Sequence, residues 1–297
     1  GMGKGAQNGI LIKNGEELET ACKIDTVILD KTGTLTTGKL QVTDIIKFDN
    51  GLEYNELLRL AAISEKRSEH PLGKAIYEKA KNELGDVEDP EDFESYPGKG
   101  IRAVVQNNTI LIGTLGLMIE NGIDTSDAQD TLLPLQKQGK TTVLLAIDNA
   151  LNCAIALADS IKESSKSMVN ALKDMGIEVY MLTGDNKNSA NWTASQIGIK
   201  NVIADVLPEH KASKVSQLMN EGKVVAMVGD GINDAPALAT ANIGFAIGTG
   251  TDVAIETGDI VLLKDDLMGV PNAVMLSRKT MRKIKQNLFW AFIYNIV

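Results

Sequence analysis

Short apolar runs that alternate with helical patterns constrain the fold of this chain more than any other feature. The runs are residues 177–182, 224–228, 243–247 and 260–263, and the helical stretches are 164–175, 189–197 and 210–221. Strands that are apolar throughout and separated by helices are typical of a parallel sheet covered on both faces. The run that ends at Asp30 belongs to the same set. The sequence therefore predicts an α/β fold with a doubly wound parallel sheet.

The segment from residue 40 to 158 has a different pattern. It begins with amphipathic helices and continues with paired strands, which predicts an α+β domain with an antiparallel sheet. The helices are expected at 54–66 and 71–84, and the strands at 101–105, 109–112, 142–147 and 151–157. Residues 83–94 are rich in carboxylates and are expected to form a solvated loop. The first domain then comprises residues 1–39 and 159–276, with the second domain inserted at 40–158.

The ends and the composition limit the class of protein. A net charge of −9 and a pI near 4.9 argue against nucleic acid as a partner. The two cysteines, Cys22 and Cys153, lie far apart and favour a reducing compartment.

Residues 277–287 hold five cations and no acid, and an apolar run follows. We expect 277–297 to be a basic flank and the start of a truncated transmembrane helix, because a full span takes about 20 residues. The alternative is a terminal helix whose aromatic face packs on the core.

Reactive side chains follow three of the predicted parallel strands. They are Asp30, then Thr183 to Asp185, then Asp230 and Asp234. Ligands gather at the carboxyl ends of the strands in open α/β sheets, so these groups should share one site. Each has an ordinary structural explanation as a helix cap or turn residue. Together, however, the carboxylates need a compensating cation, and Mg²⁺ prefers oxygen ligands.

This pattern indicates phosphoryl transfer. Asp30 would be the nucleophile that forms an aspartyl phosphate. Thr183 and backbone amides near Gly33 and Gly184 would hold the phosphoryl oxygens, and Lys211 would neutralise their charge. The remaining assignments concern the metal: Asp230 would bind Mg²⁺, while Asn233 and Asp234 would orient either the metal or the lysine.

Three motifs resemble those of a P-type ATPase, a member of the haloacid-dehalogenase-like superfamily. They are DKTGTLT from Asp30, TGDN from Thr183 and GDGINDAPALA from Gly229, and the resemblance covers the whole chain. It implies that the first domain is a phosphorylation domain. The catalytic residues it implies are Asp30, Thr32, Thr183, Gly184, Asp185, Lys211 and Asn233, and the implied Mg²⁺ ligands are Asp30, Thr32, Asp230 and Asp234.

Thr32 separates a pump from the other members of this superfamily. The phosphatases carry an acid two residues after the nucleophile, which hydrolyses the phosphoenzyme quickly. Thr32 cannot transfer that proton, so the aspartyl phosphate should persist until another event triggers water attack. A soluble phosphatase of the same superfamily is the alternative, and rapid turnover of small phosphate esters would favour it. A non-catalytic nucleotide-sensing module is a further alternative, for which loss of Asp30, Lys211 or Asp230 would be expected.

The inserted domain resembles the nucleotide-binding domain of heavy-metal P-type ATPases. The resemblance rests on Glu65, on His70 in the stretch SEKRSEHPLGKAI, on Gly98 and Gly100 of GKG, and on Gly113. In that branch the histidine and the glutamate flank the adenine of ATP, and the glycines admit the nucleotide closely. From the residues alone, ordinary helix capping at Pro71 and a structural role for a lone histidine are the more common explanations for His70.

The spacing of Asn287 and Tyr294-Asn295 is similar to the membrane helix of copper(I) exporters. It favours copper(I), bound outside this chain, over silver, zinc or cadmium; the alternative is that these residues only anchor a helix at a membrane boundary. The resemblance implies a multi-pass protein of the cell membrane, with this chain on the cytoplasmic side. Its expected cofactors are ATP and Mg²⁺. Its expected partners are the actuator and transmembrane domains of the same full-length protein and a copper chaperone.

Overall fold

The computed structural model describes residues 2–48, 52–248 and 252–296. The chain divides into two compact units. Unit 1 comprises Gly1–Gly38 and Ile161–Val297, and unit 2 comprises Lys39–Ser160. The second unit is thus an insertion in the first.

The described elements follow in chain order. The strands are β1 (Ile10–Ile12), β2 (Thr26–Asp30), β3 (Thr36–Lys47), β4 (Asp92–Tyr96), β5 (Gly100–Val105), β6 (Asn108–Gly113), β7 (Thr141–Ile147), β8 (Ala150–Ile161), β9 (Glu178–Leu182), β10 (Asn201–Ile203), β11 (Val225–Gly229), β12 (Ile243–Ile247) and β13 (Ile260–Leu262). The α-helices are α1 (Met2–Gln7), α2 (Gly15–Lys23), α3 (Tyr54–Glu65), α4 (Pro71–Leu84), α5 (Leu115–Glu120), α6 (Ala128–Lys137), α7 (Glu163–Asp174), α8 (Lys187–Ile197), α9 (Lys211–Asn220), α10 (Ala235–Thr240), α11 (Asp252–Thr257) and α12 (Gly269–Ile296). Single 3-10 turns occur at Pro208–His210 and Ile232–Asp234, and Lys31–Leu35 is an irregular turn whose backbone is not helical at Thr32 and Gly33.

Unit 1 contains the predicted parallel sheet. Its seven strands lie in the order β1-β13-β12-β11-β2-β9-β10, and only the edge strand β1 is antiparallel to its neighbour. Strand β2 is buried along its whole length, and its side chains alternate between two cores. Val27 and Leu29 pack with α2, α7, α8 and α12, whereas Ile28 packs with α9 and α10. The prediction of a doubly wound parallel sheet is confirmed.

Unit 2 contains the predicted antiparallel sheet, of six strands in the order β3-β8-β7-β6-β5-β4. One face packs against α3 and α4 and the other against α5 and α6, through two separate apolar clusters. The expected loop at 83–94 is wrong at both ends. Helix α4 extends to Leu84, and Asp92 already begins β4, where it pairs with Val104. Strand β4 is an exposed edge strand, so its polar sequence gave no apolar signal.

Helix α12 is continuous from Gly269 to Ile296 and passes through the expected boundary at 276/277. The Arg278 guanidinium holds it to the rest of unit 1, because it donates to the carbonyls of Met175 (3.1 Å) and Ile24 (3.2 Å). Phe289 and Trp290 remain 58% and 65% exposed, so these two aromatic side chains do not pack on the core. None of the helices in the described ranges combines the length and apolar character that a membrane crossing requires. The side chains of Tyr294 and Asn295 lie outside the described residues.

The separate cores predict separate unfolding of the two units. Ile110 is fully buried in unit 2, so Ile110→Ala should cost unit 2 about 2–5 kcal/mol. Both tryptophans, Trp192 and Trp290, belong to unit 1. In urea, the circular dichroism of the variant should therefore show an earlier loss of structure while the tryptophan fluorescence midpoint stays unchanged. Met227→Ala, in the core of unit 1, is the matched control and should shift the fluorescence midpoint. An equal fluorescence shift in both variants would contradict independent unfolding.

Candidate active site

Three carboxylates meet at the carboxyl edge of the parallel sheet. Asp30 is the last residue of β2, and Asp230 and Asp234 follow β11. These strands are parallel neighbours, with Leu29 opposite Val228, so their ends lie at the same edge. One oxygen from each carboxylate lies within 4.8 Å of the others. The sequence predicted that these carboxylates lie close together, and in the structure they do.

Lys211, the first residue of α9, connects two of these carboxylates. Its Nζ lies 2.5 Å from Asp30 Oδ1 and 2.7 Å from Asp234 Oδ1, and all three residues are buried. The other oxygen of Asp234 accepts from the backbone N–H groups of Asp230 (3.3 Å) and Gly231 (3.4 Å). Asp234 therefore contacts the lysine directly and also fixes the loop that carries Asp230.

The cluster holds more negative charge than one lysine compensates. Burial and the neighbouring Asp234 raise the pKa of Asp30 to about 7, although Lys211 acts in the opposite direction. Burial and Asp234 also raise the pKa of Asp230. A divalent cation among oxygen ligands would remove this repulsion, so the donor set fits Mg²⁺.

The turn after Asp30 brings a glycine against Asp230. Gly33 has a φ of +76°, and a Cβ built there would lie 2.0 Å from Asp230 Oδ2, so no other residue fits without a shift. The Gly33 N–H donates to the Thr36 hydroxyl (3.3 Å), and that hydroxyl donates to the Lys31 carbonyl (3.0 Å). Thr32 lies in this turn and is exposed, two positions from Asp30.

The TGDN motif follows β9, on the other side of β2. Thr183 is 2% exposed, and its hydroxyl accepts from the Asp185 N–H (3.1 Å), while Gly184 lies between them. The Asp185 carboxylate is 2.5 Å from Lys31 Nζ and accepts from the Ser189 hydroxyl (3.2 Å). Asp185 therefore pairs with a lysine that sequence analysis did not single out.

Asn233 lies in the single turn Ile232–Asp234, immediately before Asp234. It is exposed, unlike the acid that follows it. Asn233 was expected near the carboxylate cluster, and it lies next to Asp234 in the chain. Its role in orienting the metal or the lysine stays a prediction.

The five residues predicted to bind nucleotide line one cavity of about 190 Å³ in unit 2. They are Glu65, His70, Gly98, Gly100 and Gly113. Other lining residues were not singled out by sequence reasoning, among them Ser68, Gly73 and Lys99, although they lie within the same motifs.

Glu65 and His70 reach this cavity from adjoining helices. Glu65 ends α3 and is 6% exposed; burial raises its pKa to about 7, against a lowering by the hydrogen bond from Ser68. A Cβ at Gly73 would lie 2.3 Å from Glu65 Oε2, so the carboxylate occupies the space that this glycine leaves. His70 precedes α4, and its Nδ1 accepts from the Leu72 N–H (3.2 Å). The histidine thus caps a helix and also lines the cavity.

Two of the glycines have a packing role as well. A Cβ at Gly100 would lie 2.1 Å from the Ile112 carbonyl oxygen, and one at Gly113 would lie 2.3 Å from the Lys99 carbonyl oxygen. Gly98 has a φ of +74°, in the turn that leads into β5. Gly100 and Gly113 let β5 and β6 approach closely at the cavity wall.

Comparison with known proteins now identifies the class. Residues 24–242 match the family model of haloacid dehalogenase-like hydrolases. The chain belongs to the haloacid dehalogenase-like hydrolase family. It is 50% identical over 297 residues to a copper-exporting P-type ATPase of Staphylococcus aureus (strain JH9), a match that covers 100% of this chain and 36% of that protein. The chain therefore spans about a third of the length of the curated relatives it matches.

Solved structures agree with this result. A zinc-transporting PIB-type ATPase in the E2.Pi state has a TM-score of 0.88 and 38% identity, covering 96% of this chain and 46% of that one. The catalytic domain of the CPx-ATPase CopB-B, from work on conformational changes upon nucleotide binding, has a TM-score of 0.65 and 27% identity. That match covers 92% of this chain and 98% of the other. The resemblance to heavy-metal P-type ATPases predicted from the motifs is confirmed.

Burial of Glu65 predicts a pH-dependent stability. Because its folded-state pKa is raised above 4.5 to about 7, the folded chain keeps a proton that the unfolded chain releases. The free energy of unfolding should therefore fall as the pH rises from about 4.5 to 7, by about 3 kcal/mol at most from this group. Glu65→Gln cannot ionise and should lose this contribution. Urea unfolding at pH 5 and pH 8 should show the variant gaining stability relative to the original chain at the higher pH. A pH-independent difference would contradict a buried carboxyl with a raised pKa.

Proposed function

We propose that this chain is the phosphorylation and nucleotide-binding part of a P-type ATPase that forms an aspartyl-phosphate intermediate. The proposed pump exports a soft metal ion, and copper(I) is the first candidate. The observation that carries the proposal is the bridge from Lys211 to Asp30 and Asp234, with Asp230 beside them. Residues 1–39 and 159–276 are the proposed phosphorylation domain, and 40–158 the proposed nucleotide-binding domain. Residues 277–297 are the proposed link to the membrane.

Asp30 is the proposed nucleophile. One of its carboxylate oxygens forms a bond to the γ-phosphorus of ATP, and the bond from that phosphorus to the β–γ bridging oxygen breaks, so ADP leaves with the electron pair. Lys211 already contacts Asp30 and offers its positive charge to the transferred group. The Thr183 hydroxyl and the Gly184 backbone follow the end of the adjacent strand β9, and we assign them the support of the phosphoryl oxygens.

The carboxylate cluster is the proposed Mg²⁺ site. Asp30, Thr32, Asp230 and Asp234 would hold the ion, and the proximity of the three carboxylates supports that assignment. The ion would neutralise charge on the phosphoryl oxygens. Lys211 orients two of the same carboxylates, so the protein presents them in a fixed arrangement.

Thr32 favours a pump over a phosphatase. It lies at the position where a phosphatase carries its acid, and a hydroxyl of ordinary acidity does not activate water at neutral pH. The phosphorylated Asp30 should therefore outlast the transfer step. We propose that hydrolysis depends on the actuator domain of the full-length protein and is coupled to transport through its transmembrane domains.

Copper(I) is favoured over zinc by the comparisons. The copper-exporting relative is 50% identical, whereas the zinc-transporting structure is 38% identical. The zinc neighbour nevertheless keeps a zinc or cadmium pump as the second candidate. The proposed location is the cytoplasmic side of a membrane, and a copper chaperone is the proposed donor of the ion.

Substitution of the nucleophile tests the mechanism. In the full-length protein, ATP with Mg²⁺ should give an acid-stable, hydroxylamine-labile adduct at Asp30. Asp30→Asn nearly preserves the shape and removes a nucleophilic oxygen, so labelling should fall by a factor of about a hundred or more while ATP binding survives. The control is Asp174→Asn, at the exposed end of α7, which should label normally. Persistent labelling of the Asp30 variant would place the nucleophile elsewhere.

The transported ion is tested by stimulation of ATP turnover. Copper(I) is a soft ion that selects thiolate and thioether ligands, so a site built for it should respond to copper(I) and silver(I) and not to zinc. Turnover by the full-length protein should rise severalfold with copper(I) or silver(I), measured as phosphate release. Activation by zinc alone would overturn the copper assignment and leave the phosphorylation mechanism standing.

A further inference from the structure

Lys99 lines the cavity in unit 2, and its backbone is fixed by hydrogen bonds. It lies in the turn between β4 and β5, and its backbone N–H donates to the Tyr96 carbonyl (2.9 Å). Its own carbonyl accepts from the Thr114 N–H (2.8 Å). Two backbone hydrogen bonds therefore fix the backbone of Lys99, while its side chain can change its contacts.

The partner of the Lys99 side chain is an exposed carboxylate. Its Nζ lies 2.8 Å from both carboxylate oxygens of Glu120, the last residue of α5. The two side chains are 51% and 55% exposed. Exposed ion pairs of this kind add little to stability, so another anion can replace Glu120 without loss of the fold.

Glu65 and Lys99, which line the cavity on different elements, carry ionisable side chains. Glu65, at the end of α3, supplies a buried carboxyl, and Lys99 supplies a cation from the turn before β5. Among the described residues that line the cavity, Lys99 is the one lysine or arginine. A nucleotide has the complementary polarity, because its adenine bears an amino group and its phosphates are anionic. If the adenine amino group donates to the Glu65 carboxyl, Lys99 is the cation at this cavity that can contact the phosphates.

We propose that Lys99 binds a phosphate group of the nucleotide and that Glu120 holds the lysine when the cavity is empty. The inference rests on the proposed nucleotide-binding function and adds a residue and a regulatory contact to it. Glu120 acts as an internal competitor: it holds the Lys99 ammonium group in an ion pair that must open before the phosphate binds.

Calorimetric titration of the whole chain with adenosine and with Mg²⁺-free ATP tests the phosphate contact. Lys99→Ala should weaken ATP binding about three- to tenfold and leave adenosine binding unchanged, because adenosine has no phosphate. Lys99→Arg should retain most of the ATP affinity. The control is Lys79→Ala, which breaks the similar surface pair with Glu83 outside the cavity and should bind both ligands normally.

Removal of the competitor tests the second half of the inference. Glu120→Gln should raise ATP affinity about two- to threefold in the original chain and have no effect in the Lys99→Ala background. Equal weakening of ATP and adenosine by Lys99→Ala would show a purely structural role and overturn the inference. So would ATP affinity unchanged in that variant. If neither the original chain nor any variant binds ATP or adenosine, the nucleotide-binding function itself fails.

Discussion

The contact of Lys211 with Asp30 and Asp234 is the interaction on which the site of unit 1 depends. Three charged groups are buried together there, and removing Lys211 would leave two buried carboxylates without their cation. The contact joins residues from β2, from the turn after β11 and from the start of α9. It forms only because β2 and β11 are parallel neighbours in the correct register. The reactive geometry is thus inseparable from the strand order of the sheet.

Sequence patterns predicted the elements whose burial is uniform and missed those that depend on distant partners. The run that ends at Asp30 is buried throughout β2, so its apolar character identified it. Strands β1 and β10 have only three residues each, too few for any periodicity. The site residues were found by their position after strands. The pairing of Asp185 with Lys31 was not, because it depends on the conformation of the turn that carries the lysine.

The cavity in unit 2 shows why a motif residue can have two explanations at once. His70 caps α4 and lines the cavity, and Gly113 admits a neighbouring carbonyl at the same wall. In each case the local backbone requirement fixes where the wall lies, and the wall then defines the space for a ligand. Capping and binding are therefore compatible explanations for His70. Sequence alone cannot separate them, since both favour the same residue type at the same position.

The strands that carry the chain into and out of unit 2, β3 and β8, are hydrogen-bonded neighbours. Across the insertion, β2 and β9 still pair directly, with Ile28 opposite Tyr180. For the parallel sheet, unit 2 is thus equivalent to one long loop between Gly38 and Ile161, and the entropy of closing such a loop grows only slowly with its length. A domain inserted here can be lengthened, shortened or exchanged with little thermodynamic effect on its host. Unit 2 can therefore change while the parallel sheet and its carboxylate cluster keep their arrangement.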